Sequence, residues 1–80
     1  MYTLKMKTVD NKGRKSNQTL MRFFSLDRAI RMLNSMANEE LAYASEFTER
    51  ACLTVLDDGG IQVRTGKRSK RIFRVIEEGS

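Results

Sequence analysis

Apolar and polar positions alternate at the start of the chain. In Tyr2-Thr3-Leu4-Lys5-Met6-Lys7-Thr8-Val9, the apolar Tyr2, Leu4 and Met6 fall on one side and Lys5 and Lys7 on the other. That two-residue period is the signature of a half-buried strand. Residues 10–18 read as a polar loop around Gly13, and residues 19–24 as a second strand. The pair forms a hairpin whose long tip carries Lys12, Arg14 and Lys15.

The period then changes. Leu26, Ala29, Ile30, Leu33, Met36 and Ala37 recur at helical spacing, with Asp27, Arg28, Arg31, Asn34 and Ser35 on the other side. Ser25 stands where an N-cap belongs, and Asp27 lies in the first turn, facing the positive end of the helix dipole. The spacing predicts a helix from 26 to about 37. Beyond it, the helix can run on to about Ser45, or Asn38 can cap a second short helix. The break is favoured, because Glu40 would otherwise sit in the apolar stripe.

Residues 47–56 end in Ala-Cys-Leu-Thr-Val-Leu and read as a third strand. Asp57-Asp58-Gly59-Gly60 is a hairpin turn, since Gly and Asp tolerate positive φ. Residues 61–65 form a fourth strand, 66–70 a turn, and 71–77 a fifth strand. The expected order is ββα(α)βββ: an α+β domain with an antiparallel sheet of about five strands and one main helix on one face. Residues 1–80 form a single domain whose last few residues fray. Where the first hairpin sits relative to the last three strands stays open.

Adjacent large residues complicate a one-faced sheet. Phe23 and Phe24 must point to opposite faces, as must Ile72 and Phe73. The favoured explanation is a second layer, either a partner in a homodimer or the 39–47 segment. The alternative is an exposed Phe beside Arg71 and Arg74, serving as a stacking platform for bases. Met32 lies off the helix stripe and could mark a contact surface. Cys52, in mid-strand, reads as a small buried hydrophobe.

Composition narrows the chemistry. The 80 residues include no His, no Pro and one Cys. The commonest neutral-pH base and the commonest zinc ligand are therefore missing, and no internal disulfide can form. Asp57-Asp58 and Glu39-Glu40 occupy a turn and a helix start, where acids serve structure. Gly59-Gly60 is followed by neither Gly-Lys-Ser/Thr nor a helix, so it is no phosphate loop. The expectation is a non-enzymatic protein with no cofactor and no metal. The longest uninterrupted apolar run is Leu41-Ala42-Tyr43-Ala44, and no apolar run follows a basic start. No membrane association and a reducing cytoplasmic setting are expected.

Charge carries the functional signal. Fifteen cations face ten acids, a net charge of +5. Residues 61–76 hold Arg64, Lys67, Arg68, Lys70, Arg71 and Arg74 with no acid, whereas residues 36–60 hold six acids against Arg50 alone. The Arg/Lys-rich C-terminal hairpin is the candidate binding patch. Lys12, Arg14 and Lys15 form a secondary basic loop. Such cations displace condensed counterions from phosphates, and Arg adds bidentate contacts.

The Phe24-Ser25-Leu26-Asp27-Arg28-Ala29-Ile30 strand-to-helix junction, with the short length and the missing His and Pro, resembles small accessory proteins encoded by bacteriophages, anti-CRISPR proteins among them. The resemblance lies in layout and brings no site residues with it. It implies a non-enzymatic inhibitor that blocks a host nucleoprotein or enzyme by occupying a surface. Two classes stand: a nucleic-acid-binding module, and a protein-binding inhibitor of a host complex. An inhibitor needs exposed apolar residues ringed by Arg, whereas polyanion binding needs only the charges.

Overall fold

The computed structural model describes residues 1–79. Strands β1 (Tyr2–Val9) and β2 (Lys15–Phe23) precede helix α1 (Leu26–Ser45), and β3 (Cys52–Val55), β4 (Ile61–Arg64) and β5 (Lys70–Glu77) follow it. The sheet order is β2-β1-β5-β4-β3, and every pairing is antiparallel. The first hairpin joins the later strands through β1 and β5, which pair along their full length from Tyr2–Glu77 to Val9–Lys70.

The α+β layout matches the sequence, with several boundaries moved. Strand β2 begins at Lys15, because backbone pairing to β1 extends along polar residues that need no burial at a sheet edge. A bulge opposite Leu4–Lys5 re-aims the strand beyond it. Strand β3 is confined to Cys52–Val55.

The expected break at Asn38 is absent, and α1 is one helix of 20 residues. Ala37, Leu41 and Ala44 carry its apolar stripe onward. Glu40 is accommodated because Arg71 Nη1 on β5 reaches its Oε2 at 3.2 Å. At the start, Ser25 Oγ accepts from the Arg28 amide at 3.4 Å. At the end, the Ser45 hydroxyl donates to the Leu41 carbonyl, and the amides of Glu46, Phe47 and Thr48 close the last turn.

The helix packs on one sheet face. Leu33 and Ala37 meet Leu4, Ile61, Val63 and Phe73 in the core, with Met32, Met36 and Leu41 packed against its margin. Met32 is thus half-buried core rather than a separate contact surface. Phe73 is 1% exposed, which removes it as a stacking platform. Phe23 packs against the core, while Phe24 stands 90% exposed at the entry to α1.

The 39–47 segment does not cover the second face of the sheet, since it belongs largely to α1, and no other described residues of the chain form a layer there. Ile72 on that face is nevertheless 8% exposed. Register places Lys7 and Gln62 on either side of it, and the stems of long polar side chains shield it. Cys52 is exposed rather than buried, because β3 is an edge strand.

A candidate polyanion-binding face

Strand register fixes what the open face displays. Residues opposite one another across an antiparallel pair share a face. One row reads Lys15, Val9, Lys70, Arg64, Cys52. The next reads Asn17, Lys7, Ile72, Gln62, Thr54. Then come Thr19, Lys5, Arg74, and finally Arg22, Thr3, Ile76. These four rows hold seven cations and no acid.

The two basic hairpin tips lie at the same end of this face. Each is tied down by its own chemistry. In the first, Asp10 Oδ1 accepts from the amides of Lys12 and Arg14, both at 2.9 Å, and its Oδ2 accepts from Arg14 Nε at 2.9 Å. The Arg14 amide is the main reason the Asp10 carboxyl is held below its ordinary value. Gly13 turns the chain at φ +82°, a conformation that favours glycine.

In the second tip, Thr65 and Ser69 join through both backbone and hydroxyls. Arg64 donates from Nε to the Gly66 carbonyl at 3.1 Å and from Nη2 to the Lys67 carbonyl at 2.7 Å. Its guanidinium braces the turn through backbone carbonyls, and no carboxylate pairs with it among the described residues. The tips meet where the Arg68 amide donates to Asn11 Oδ1 at 3.3 Å.

The candidate patch is therefore brought together only in part. Arg64, Lys67, Arg68 and Lys70, with Gln62 and Ser69, line a depression of about 240 Å³ at the β4–β5 tip. Lys12, Arg14 and Lys15 lie on the neighbouring hairpin. Arg71 falls outside the patch: it is one residue out of phase, faces the helix and is paired with Glu40. Arg74 lies farther along the open face, with its Nε 2.8 Å from Asp58 Oδ2.

Sequence inspection of the C-terminal hairpin alone missed Lys5, Lys7 and Arg22. Their signal was present in the alternation, since polar positions of β1 face away from Leu4 and Met6. What was missing was the pairing of β1 with β5. Lys5, Lys7, Asn17, Ile72, Arg74 and Ile76 share a shallow depression of about 90 Å³.

Charge is thus segregated in three dimensions. The open face and joined tips carry eleven of the fifteen cations and three acids, Asp10, Asp58 and Glu78. Each of those acids is paired, with Arg14, Arg74 and Lys5 respectively. The helix side and far turns carry the other four cations and seven acids. Among the described residues, no group of acidic, His or Cys side chains is arranged to hold a metal ion. Nor is any helix of the described residues long and apolar enough to cross a membrane. Comparison with protein-family models, curated proteins and solved structures gave no match.

Proposed function

We propose that this is a small non-enzymatic protein that binds nucleic acid on the open face of its sheet, using the joined β1–β2 and β4–β5 tips. The observation that carries this reading is the display of seven cations in register, of which Lys5 and Arg74 meet an acid, continuous with Lys12, Lys67 and Arg68 at the tips. Polyanion backbones are bound by such a surface through release of counterions. The joining of the tips fixes the cations before binding, which lowers the ordering cost.

The second reading, a protein-binding inhibitor of a host complex like the phage proteins the chain resembles, needs apolar anchors within the basic surface. Among the described residues, Ile76 at the far corner, 41% exposed, is the one large apolar side chain standing open on the strands of this face. Phe24, Leu26 and Ile30 are exposed around the start of α1 instead. That separation favours nucleic acid. In either reading the protein acts in the cytoplasm of a bacterial host.

The test is fluorescence anisotropy with labelled oligonucleotides over a salt series. Five to seven phosphate contacts give a slope of log K on log salt of about −4 to −6. No binding at low salt overturns the proposal. A partner captured from nuclease-treated bacterial lysate, with no affinity for nucleic acid, moves the assignment to the inhibitor class.

A further inference from the structure

Resting on that reading, we infer that the face is built for duplex DNA and spans one major groove, contacting the backbones on both sides. Two features of the face lead there. The first is the placement of its cations in lines. Lys15, Lys70 and Arg64 make one row at the tip end, reinforced by Lys67 and Arg68. Lys5 and Arg74 make a second row, whose exposed pairs with Glu78 and Asp58 must open or be shared for phosphate to bind, with Arg22 beyond it. Lys70 and Arg74 are four residues apart on β5, so the rows are separated by about 13 Å at the usual strand rise. The major groove of B-form DNA is about 12 Å wide. Between the cationic rows lies one that is neutral apart from Lys7: Asn17, Ile72, Gln62 and Thr54. Phosphates would meet the two charged rows, and the groove would lie beneath the row between them.

The second feature is where the aromatics lie. Proteins that hold single strands stack the bases on aromatic side chains. The strand residues of this face include none; Phe24, 90% exposed, follows β2 at the entry to α1, past Arg22 and outside the space between the two rows. Tyr2 and Phe73 are in phase with Leu4 on the helix side, and Phe23 packs against the core there. Tyr43 and Phe47 meet as a tilted pair at the end of α1, with centroids 4.9 Å apart. An unpaired strand would find charge in both rows but no platform between them, whereas a duplex needs no platform.

Three 20-nucleotide probes test this by anisotropy at matched salt: duplex DNA, oligo-dT and duplex RNA. The expected result is duplex DNA bound at least tenfold tighter than either of the others, with little dependence on its sequence. Methyl green, which occupies the major groove, should displace the protein, and a minor-groove bisamidine should not. Lys15→Gln with Lys70→Gln, and Lys5→Gln with Arg22→Gln, should each lower duplex affinity. Each should also make the salt slope shallower by about 2. Circular dichroism of both variants checks that they stay folded. Oligo-dT or duplex RNA bound as tightly as duplex DNA overturns the inference and leaves the nucleic-acid reading standing. Failure to bind any of the three removes that reading itself.

Discussion

The Oδ1 of Asn11 accepts the backbone N–H of Arg68 at 3.3 Å, joining two turns 57 residues apart in sequence. This contact holds the basic tips side by side. It is solvent-exposed, so its net contribution to stability is on the order of 0.5–1 kcal/mol. Asn11→Ala should leave the melting temperature nearly unchanged and accelerate hydrogen exchange at the Arg68 amide. Nucleic-acid affinity should fall about two- to fivefold, because the tips must then be ordered on binding. Unchanged exchange at Arg68 would mean that the tips are held together by other means.

Neighbouring cations on β5 should behave oppositely. Lys70 lies on the open face, whereas Arg71 faces α1 and pairs with Glu40. Lys70→Gln should make the salt slope shallower by about 1 and leave stability unaltered. Arg71→Gln should leave the slope alone. It should cost about 1 kcal/mol, because Glu40, half-buried, loses its partner. Hydrogen exchange should then quicken in the second half of α1. Equal loss of affinity from both substitutions would show that strand phase does not decide which cations bind.

That pair also shows where sequence reading runs out. The start of α1 was legible, because Ser25, Asp27 and the stripe from Leu26 are local signals. Its continuation past Asn38 was not, because Glu40 is tolerable only with Arg71, 31 positions away. The alternation in β1 and β5 was legible on each strand separately. Pairing between them is set by burial of the whole sheet under α1, and that pairing turns two basic segments into one face. Cys52 was misread because mid-strand position says nothing about whether a strand is at an edge. The polar start of β2 was misread for the same reason: edge backbone pairs regardless of its side chains.

Acid should loosen the hairpin turns. Asp10 is held below its ordinary pKa of 3.8 chiefly by the Arg14 amide, and Asp58 chiefly by the Gly60 amide, with Arg74 next. A carboxyl whose pKa is lower folded than unfolded stabilises the fold fully above the unfolded value. That contribution is lost as pH falls through the folded value. The melting temperature should therefore be insensitive to these two groups from pH 7 to about 5 and decline below about 4. The Asp10→Asn, Asp58→Asn double variant should have a lower melting temperature at pH 7 and a shallower decline in acid. Parallel curves for the two proteins would remove these carboxylates as the cause.

Gly60 is irreplaceable for reasons of space. A Cβ there would lie 2.9 Å from Arg74 Cγ and 3.1 Å from the Phe73 carbonyl oxygen. The side chain of Arg74 can shift, at the expense of its bond to Asp58, but the Phe73 backbone is fixed by pairing to Ile61. Gly60→Ala should destabilise by about 1–3 kcal/mol. Gly79→Ala, which meets nothing within 4 Å, is the control and should be neutral. Chemical denaturation of both variants measures the difference.

Thr3 offers the opposite case, a site where the natural residue is not optimal for stability. It is fully buried on β1, between Arg22 on β2 and Ile76 on β5, and its Oγ1 has no hydrogen-bond partner among the described residues. A buried hydroxyl without a partner costs about 1–3 kcal/mol relative to one that keeps its hydrogen bonds. Valine has nearly the same shape, suits a strand, and brings no polar atom to be satisfied. Thr3→Val should therefore raise stability by about 1 kcal/mol, seen as a higher denaturation midpoint with an unchanged slope. The position carries no charge, so nucleic-acid affinity and its salt slope should stay as they were. A lowered midpoint would mean that the hydroxyl is satisfied in solution, and Thr3→Ser, which keeps the hydroxyl and loses the methyl, would then be the better tolerated of the two.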